Sequence, residues 1–308
     1  MDIDLITNIL YAMVRTGTPL LLVALGELVC ERSGVLNLGQ EGMMLMGAVI
    51  GFIVALLSGS VFLGFMLAIT AGILMSLIFA VISLELKANQ VATGLALTIF
   101  GTGLSAFIGT AYVGKPVDGL EPILIPFLSD LPVIGRMLFG QDLLVYLSFA
   151  LFAAVYWFIN HARPGLTLKA VGENPEAANA LGLPVMKTRY LAIMFGGAMA
   201  GLAGGYLSLA YTPLWVENMS AGRGWIALAL VVFASWKAER VLLGAWLFGL
   251  ASILNLVFQG LGISVSPNLL ATLPYLATIV VLVILSSNQT RSRLVAPMSL
   301  GKTFHARG

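Results

Sequence analysis

The chain has 308 residues, 59% of them hydrophobic and 10% charged, with a mean hydropathy of +0.99. So little charge excludes a soluble domain of this size, and a net charge of +2 gives no sign of a nucleic-acid partner. The lone cysteine, Cys30, excludes a disulfide framework and a cysteine metal cluster.

Charge-free runs separate Glu41 from Glu85, Lys87 from Lys115, Asp142 from Arg163, Arg189 from Glu217, and Arg240 from Arg291. Each holds at least one helix of the roughly 20 apolar residues that cross a bilayer, and none alternates as a barrel strand does. The expected fold is an all-α polytopic bundle forming a single transmembrane domain over 1–308. Spans are read at about 5–26, 42–58, 61–84, 90–112, 143–160, 190–211, 224–236, 241–262 and 272–287, about nine in all. No basic segment precedes the first run and no small-residue cleavage site follows it, so it is expected to be a retained anchor. The segment 224–236 is short for a crossing and is expected to be tilted or re-entrant.

Nine spans place the ends on opposite sides. With the loop 161–189 cytoplasmic, Arg32, Lys87, Arg163, Lys169, Lys187, Arg189, Lys237, Arg240, Arg291, Arg293, Lys302 and Arg307 lie inside, and Lys115, Arg136 and Arg223 outside. This positive-inside bias predicts an outer N-terminus and a cytoplasmic tail, 288–308. Arg15 is the clearest charge within a span. It is expected to pair with Glu27 or Glu31, or to snorkel to an interface.

In chain order, the first interruption is CERSGVLNLGQEG, 30–42. One reading is a cytoplasmic turn in which Glu31 and Arg32 neutralise one another, Gly34 ends a helix and Glu41 faces the dipole of the next. The other is a broken helix at membrane depth, with Asn37, Gln40 and Glu41 beside a solute path, since irregular backbone in a membrane is tolerated where it lines a cavity. Asn89 and Gln90 read as a helix start or as a gate. In the loop, Asn174 to Gly182 reads as a short capped helix, with Asn174 as N-cap, Pro175 at the first position, Glu176 in the first turn and Gly182 at the stop. Gly197, Gly201 and Gly205 make a stripe for close helix packing. Trp215, Glu217, Asn218, Arg223 and Trp225 read as interfacial anchors or as the frame of an outer mouth. Asn255 and Gln259 share a helix face, for interhelical bonding or for the path.

Enzyme chemistry finds no footing. Ala296-x4-Gly301-Lys302-Thr303 has alanine where a phosphate loop needs glycine and follows a span instead of a strand. The two histidines, His161 and His305, lie in the loop and the tail, and there is no Gly-x-Ser-x-Gly elbow. No metal or cofactor is expected.

The piece Glu176-Ala177-Ala178-x3-Gly182 resembles the coupling loop of ATP-binding-cassette (ABC) importer permeases. The wider VGENPEAANALG, which adds Gly172 and Glu173, resembles the branch serving simple sugars, branched-chain amino acids and nucleosides. ERSGVLNLGQEGMMLMGA (31–48), VENMSAGRGWIALA (216–229) and APMSLGKTF (296–304) resemble the nucleoside-type permeases that work with a basic-membrane-protein lipoprotein. SWKAER, 235–240, departs from the Arg-Trp-Asn-Pro-like turn of that family. The resemblance implies a non-enzymatic subunit in the cell membrane that carries a small neutral solute, with a nucleoside as the expected one. Its implied partners are a cytoplasmic ATPase with tandem nucleotide-binding domains, a second related permease and an extracytoplasmic binding lipoprotein. The alternatives are a simple-sugar permease or an ion-coupled carrier; acids at the span boundaries and not within the spans count against the carrier.

Overall fold

The computed structural model describes residues 3–260 except 130, residues 296–304, and isolated positions between 266 and 283. The helices are α1 (Ile3–Arg32), α2 (Gln40–Ser58), α3 (Val61–Ala80), α4 (Gln90–Gly109), α5 (Ile134–Phe139), α6 (Leu143–His161), α7 (Arg163–Glu173), α8 (Pro175–Ala180), α9 (Val185–Tyr206), α10 (Arg223–Phe233) and α11 (Ala238–Gly260). π-Helical turns extend α3 through Val81–Glu85 and α9 through Leu207–Tyr211. Side-chain caps open several helices. Asn89 accepts from the Ala92 amide, and Asp142 from those of Leu144 and Val145.

Helices α1, α2 and α9 form the interior, while α4 and α6 leave most of their side chains at the surface. Every residue from Gln40 to Val49 in α2 is buried. Close approach is built from small residues, as expected for association in lipid. The stripe Gly197, Gly201 and Gly205 faces α3: a Cβ on Gly201 would stand 2.2 Å from the Ala68 carbonyl oxygen, and one on Gly197 would meet Ser76 and Gly72. Pro19 interrupts the bonding of α1, since it has no amide to give the Arg15 carbonyl. That carbonyl accepts instead from the Tyr206 hydroxyl at 3.4 Å.

Two half-crossings organise the centre. The chain leaves α1 at Arg32, reverses at Ser33–Gly34, and returns so that Gln40 lies beside Glu27. Helix α2 therefore starts roughly 8 Å inside the end of α1, at 1.5 Å per residue. From the opposite end, residues 212–222 run down without helix from the end of α9 to the level of Glu41, where α10 begins. Helix α10 has 11 residues, about 16 Å, and ends where Trp236 meets the last turn of α1. The N-termini of α2 and α10 thus meet inside the bundle.

These facts amend the sequence-based expectations. Six described helices are long and apolar enough to cross a membrane; α11 coincides with the expected eighth span, and 272–287 lies outside the described residues, so the count of nine stands as an expectation. The segment 224–236 is a half-length helix because residues 212–222 have already covered the other half of the distance. The first span runs to Arg32, not to about 26, which makes Glu27 and Glu31 helical and buried. The loop 161–189 holds two helices, α7 and α8. Arg15 pairs with Asp142 at 3.6 Å, not with Glu27 or Glu31, because those acids lie three and four turns further along α1.

Replacing Gly201 by Ala is expected to force α3 from α9 and cost about 1–3 kcal/mol of stability. Gly103→Ala, where a Cβ would meet nothing within 4 Å, is expected to leave the protein unchanged. Thermal unfolding of the two purified variants checks the contrast.

Candidate functional site

The core of the site is a pair of buried carboxylates that close the two breaks. Glu41, in the first turn of α2, accepts from the Ser220 hydroxyl at 2.5 Å and the Gly222 amide at 2.8 Å on Oε1, and from the Gly224 amide at 2.6 Å on Oε2. It therefore caps α10 from another helix. Gly224 permits the approach, since a Cβ there would lie 2.6 Å from the Glu41 amide nitrogen. The loop before it takes left-handed backbone at Asn218, Ala221 and Gly222 to aim these donors. Glu27 does the same for the other break, accepting from the Asn37 amide at 3.0 Å and the Gln40 side-chain amide at 2.6 Å. Asn37 turns its own Oδ1 to the Gly39 amide. Asn37, Gln40 and Glu41 are all buried, and Gln40 Oε1 has no hydrogen-bond partner.

A clasp surrounds the start of the break. Arg189, fully buried near the start of α9, donates from Nε to the Ser33 carbonyl at 3.2 Å, and from its terminal nitrogens to the Lys302 carbonyl at 3.4 Å and the Ser299 hydroxyl at 3.3 Å. The Ser299 hydroxyl in turn donates a hydrogen bond to the Gly172 carbonyl at 2.6 Å, and the Ser299 amide donates to the same oxygen at 3.0 Å. The Gly301 amide reaches the Gly34 carbonyl. Gln90, at the start of α4, receives the Leu36 amide at 2.9 Å and gives a longer bond to the Lys302 carbonyl. Residues 299–302 of the tail thereby join α7 and α9 to the reversal at 33–36. Gly34, at φ +86°, has no room for a side chain against Ser299.

The α7–α8 segment projects from this clasp. Asn174 Oδ1 accepts the Ala177 amide at 2.9 Å, Pro175 opens α8, and Gly182 ends it at φ +78°. The capped helix legible in the sequence is formed. Glu173, Glu176 and Ala177 face outward, whereas Ala178 is buried in a small cluster with Val171, Val185 and Phe304. Gly172 packs on the end of α1, where a Cβ would stand 2.1 Å from the Arg32 carbonyl. Partial burial, with Arg32 nearby, lowers the pKa of Lys169 on α7.

The remaining residues fall apart from one another. Asn89 is the exposed N-cap of α4. Trp215 is fully buried against Gly109 with its indole N–H unpartnered, while Glu217 and Asn218 are exposed and Trp225 is half-buried. Arg223 bonds the carbonyls of Met219 and Ser220 and stacks on Tyr211. The side chains of Asn255 and Gln259 lie outside the described residues. Sequence reasoning missed Glu27, Arg189, Ser220, Ser299 and Trp236 as members of the site. One of the two readings of 30–42 had Glu31 and Arg32 neutralising one another. Instead Glu31 accepts from the Trp236 indole at 2.5 Å and Arg32 donates to the Trp236 carbonyl at 2.7 Å. For Glu27 and Arg189 the signal available was charge beside long apolar runs; Ser220, Ser299 and Trp236 carried none.

Glu41→Ala is expected to orphan two buried donors, the Ser220 hydroxyl and the Gly224 amide, at about 1–3 kcal/mol each, along with the partly buried Gly222 amide, and to lower the thermal midpoint sharply. Glu41→Gln, which keeps one acceptor oxygen, is expected to fall between it and the parent in the same measurement.

The chain matches the family described as "Branched-chain amino acid transport system / permease component" over residues 9–285. It is 41% identical over 320 residues to the "Putative glucose ABC transporter permease protein" of Haloferax volcanii, covering 97% of each chain. It is 34% identical to a guanosine ABC transporter permease of Bacillus subtilis, over 92% of this chain and 93% of the relative. Against a nucleoside ABC transporter permease of Lactococcus lactis the identity is 30%, over 88% and 89%. No solved structure matches it. The chain belongs to the branched-chain amino acid transport permease family, as a multi-pass ABC permease of the cell membrane among relatives named for sugars and nucleosides.

Proposed function

We propose that the chain forms half of the translocation path of an ABC importer for nucleosides. A second related permease supplies the other half, a separate cytoplasmic ATPase drives it, and an extracytoplasmic lipoprotein delivers the cargo. The observation that carries this reading is the continuous hydrogen-bonded connection from α7 to the break: Gly172 to Ser299, Ser299 to Arg189, and Arg189 to Ser33. An ATPase seated on Glu176 and Ala177 pushes on α8. The Ala178–Phe304 cluster and the clasp carry the displacement to Ser33–Gly34, and through Asn37 and Gln40 to Glu27 and Glu41. In this arrangement the breaks are closed by the protein's own carboxylates, and the path opens when they separate. The lysines and arginines gathered at the α7–α8 end support a cytoplasmic position for it.

A nucleoside is uncharged at neutral pH and carries hydroxyls, ring nitrogens and a flat base. Amides and an indole suit it better than fixed charges do. Asn37 and Gln40 offer amides once the breaks part, Trp215 lies on the unwound segment 212–222 that leads down to Glu41, and two relatives are named for guanosine and nucleosides. A second reading, glucose, is favoured by the Haloferax relative, since a sugar asks for the same amides without the aromatic face.

Glu176→Lys and Gly182→Val are expected to reduce copurifying ATPase by roughly tenfold, about 1.4 kcal/mol, with the permease still monodisperse. Undiminished copurification in both variants would remove α8 as the docking element. For the substrate, the reconstituted importer is expected to take up labelled guanosine in an ATP-dependent manner, and Asn37→Leu or Gln40→Leu to slow uptake without loss of assembly. Uptake of glucose with guanosine excluded would replace the substrate while leaving the coupling scheme in place.

A further inference from the structure

A cavity of about 700 Å³ lies between α6, α7 and α9, with Val29 of α1 at its floor. Its volume is within the roughly 300–1,000 Å³ usual for small-molecule sites. Apart from Arg163, Thr167, Lys187 and Thr188, every lining residue is apolar, and none is acidic. Val155 and Ala192 are buried in its walls, while Ala154 and Leu191 are exposed at its margin, so the cavity meets the surface along the apolar outer face of α6 and α9. Trp157 and Leu147, both exposed, continue that face.

The polar groups gather at one end. Arg163 opens α7 and Lys187 lies in the first turn of α9. A cation there opposes the helix dipole, so neither residue is placed to stabilise its own helix. Both are exposed, and neither forms an ion pair among the described residues. Thr167 and Thr188 spend their protons on the Arg163 and Pro184 carbonyls, which leaves the two cations as the free donors. A nucleoside or sugar would find its hydroxyls unpaired along the apolar walls. An amphiphile with an anionic head and an aliphatic tail satisfies both halves.

We propose that this cavity holds an anionic phospholipid, with its phosphate between Arg163 and Lys187 and an acyl chain in the wedge between α6 and α9. Basic residues beside apolar crevices at the cytoplasmic ends of helices are suited to such headgroups. Placement in the cytoplasmic leaflet rests on the orientation given under the proposed function. The lipid would brace α7 against α6 and α9, beside the segment that receives the ATPase.

The test uses the full chain purified in mild detergent and exchanged into mixed phosphatidylglycerol and phosphatidylcholine, with retained lipid counted by native mass spectrometry. The parent is expected to keep phosphatidylglycerol in preference. Arg163→Gln with Lys187→Gln, both at exposed positions and safe for folding, is expected to lower that retention roughly tenfold. Ala154→Trp is expected to block the wedge. Equal retention of the two lipids by parent and double variant would overturn the proposal. So would disulfide cross-linking of two copies through Ala154→Cys and Leu191→Cys in a Cys30→Ala background, which would make the occupant a protein. Orientation is read separately, from labelling of Ala180→Cys by an impermeant reagent applied outside the cell. Labelling there would overturn the leaflet assignment, and with it the cytoplasmic orientation, whereas the retention assay decides the site itself.

Discussion

A helix that begins inside a lipid-enclosed bundle leaves its first amides without water to accept them. In this protein two helices begin in that way, pointing in opposite directions from nearly the same place, and the carboxylate of Glu41 lies between them. Two positive dipole ends brought together repel, and one buried negative charge in the first turn of α2, bonded to the amides that open α10, offsets both. Much of the centre follows from it. Residues 212–222 can descend without helix because their destination is fixed, and Gly224 must lack a side chain because Glu41 occupies its space.

Glu27 repeats the device one step away, and the two acids together explain why the breaks are tight in this conformation. Asn37 and Gln40 are engaged by Glu27 and by their own backbone, so the polar residues nearest the centre are cross-links before they can be contacts for a solute. On the function proposed above, opening a path here would exchange one set of hydrogen bonds for another. Such an exchange would cost less than exposing orphan groups, because a donor that trades one acceptor for another avoids the penalty of an unmade bond.

The clasp adds direction. Arg189 is fully buried, yet its guanidinium has an acceptor for each of its three nitrogens, one from Ser33 and two from the tail. Those acceptors belong to segments far apart in the chain, and α7 joins them through Ser299. In the coupling proposed above, a push on the exposed face of α8 would meet a stiff connection, one built from a planar, charged group with fixed donor directions.

Composition and charge spacing were enough to establish a helical membrane bundle, because lipid demands long uncharged helices and says so in every run of the sequence. The cap at Asn174, the stop at Gly182 and the packing stripe at Gly197, Gly201 and Gly205 were legible for a similar reason: each is a local rule with its residues within one or two turns. The length of α1, the half-crossing of α10 and the partners of Glu41, Glu27 and Arg189 were not legible. Glu41 meets Ser220 and Gly222, and Arg189 meets Ser33 and Ser299, across separations in the chain that no periodicity spans. A buried charge announces that it needs a partner, but which partner it finds depends on where the packed helices place the donors, and only the tertiary structure decides that.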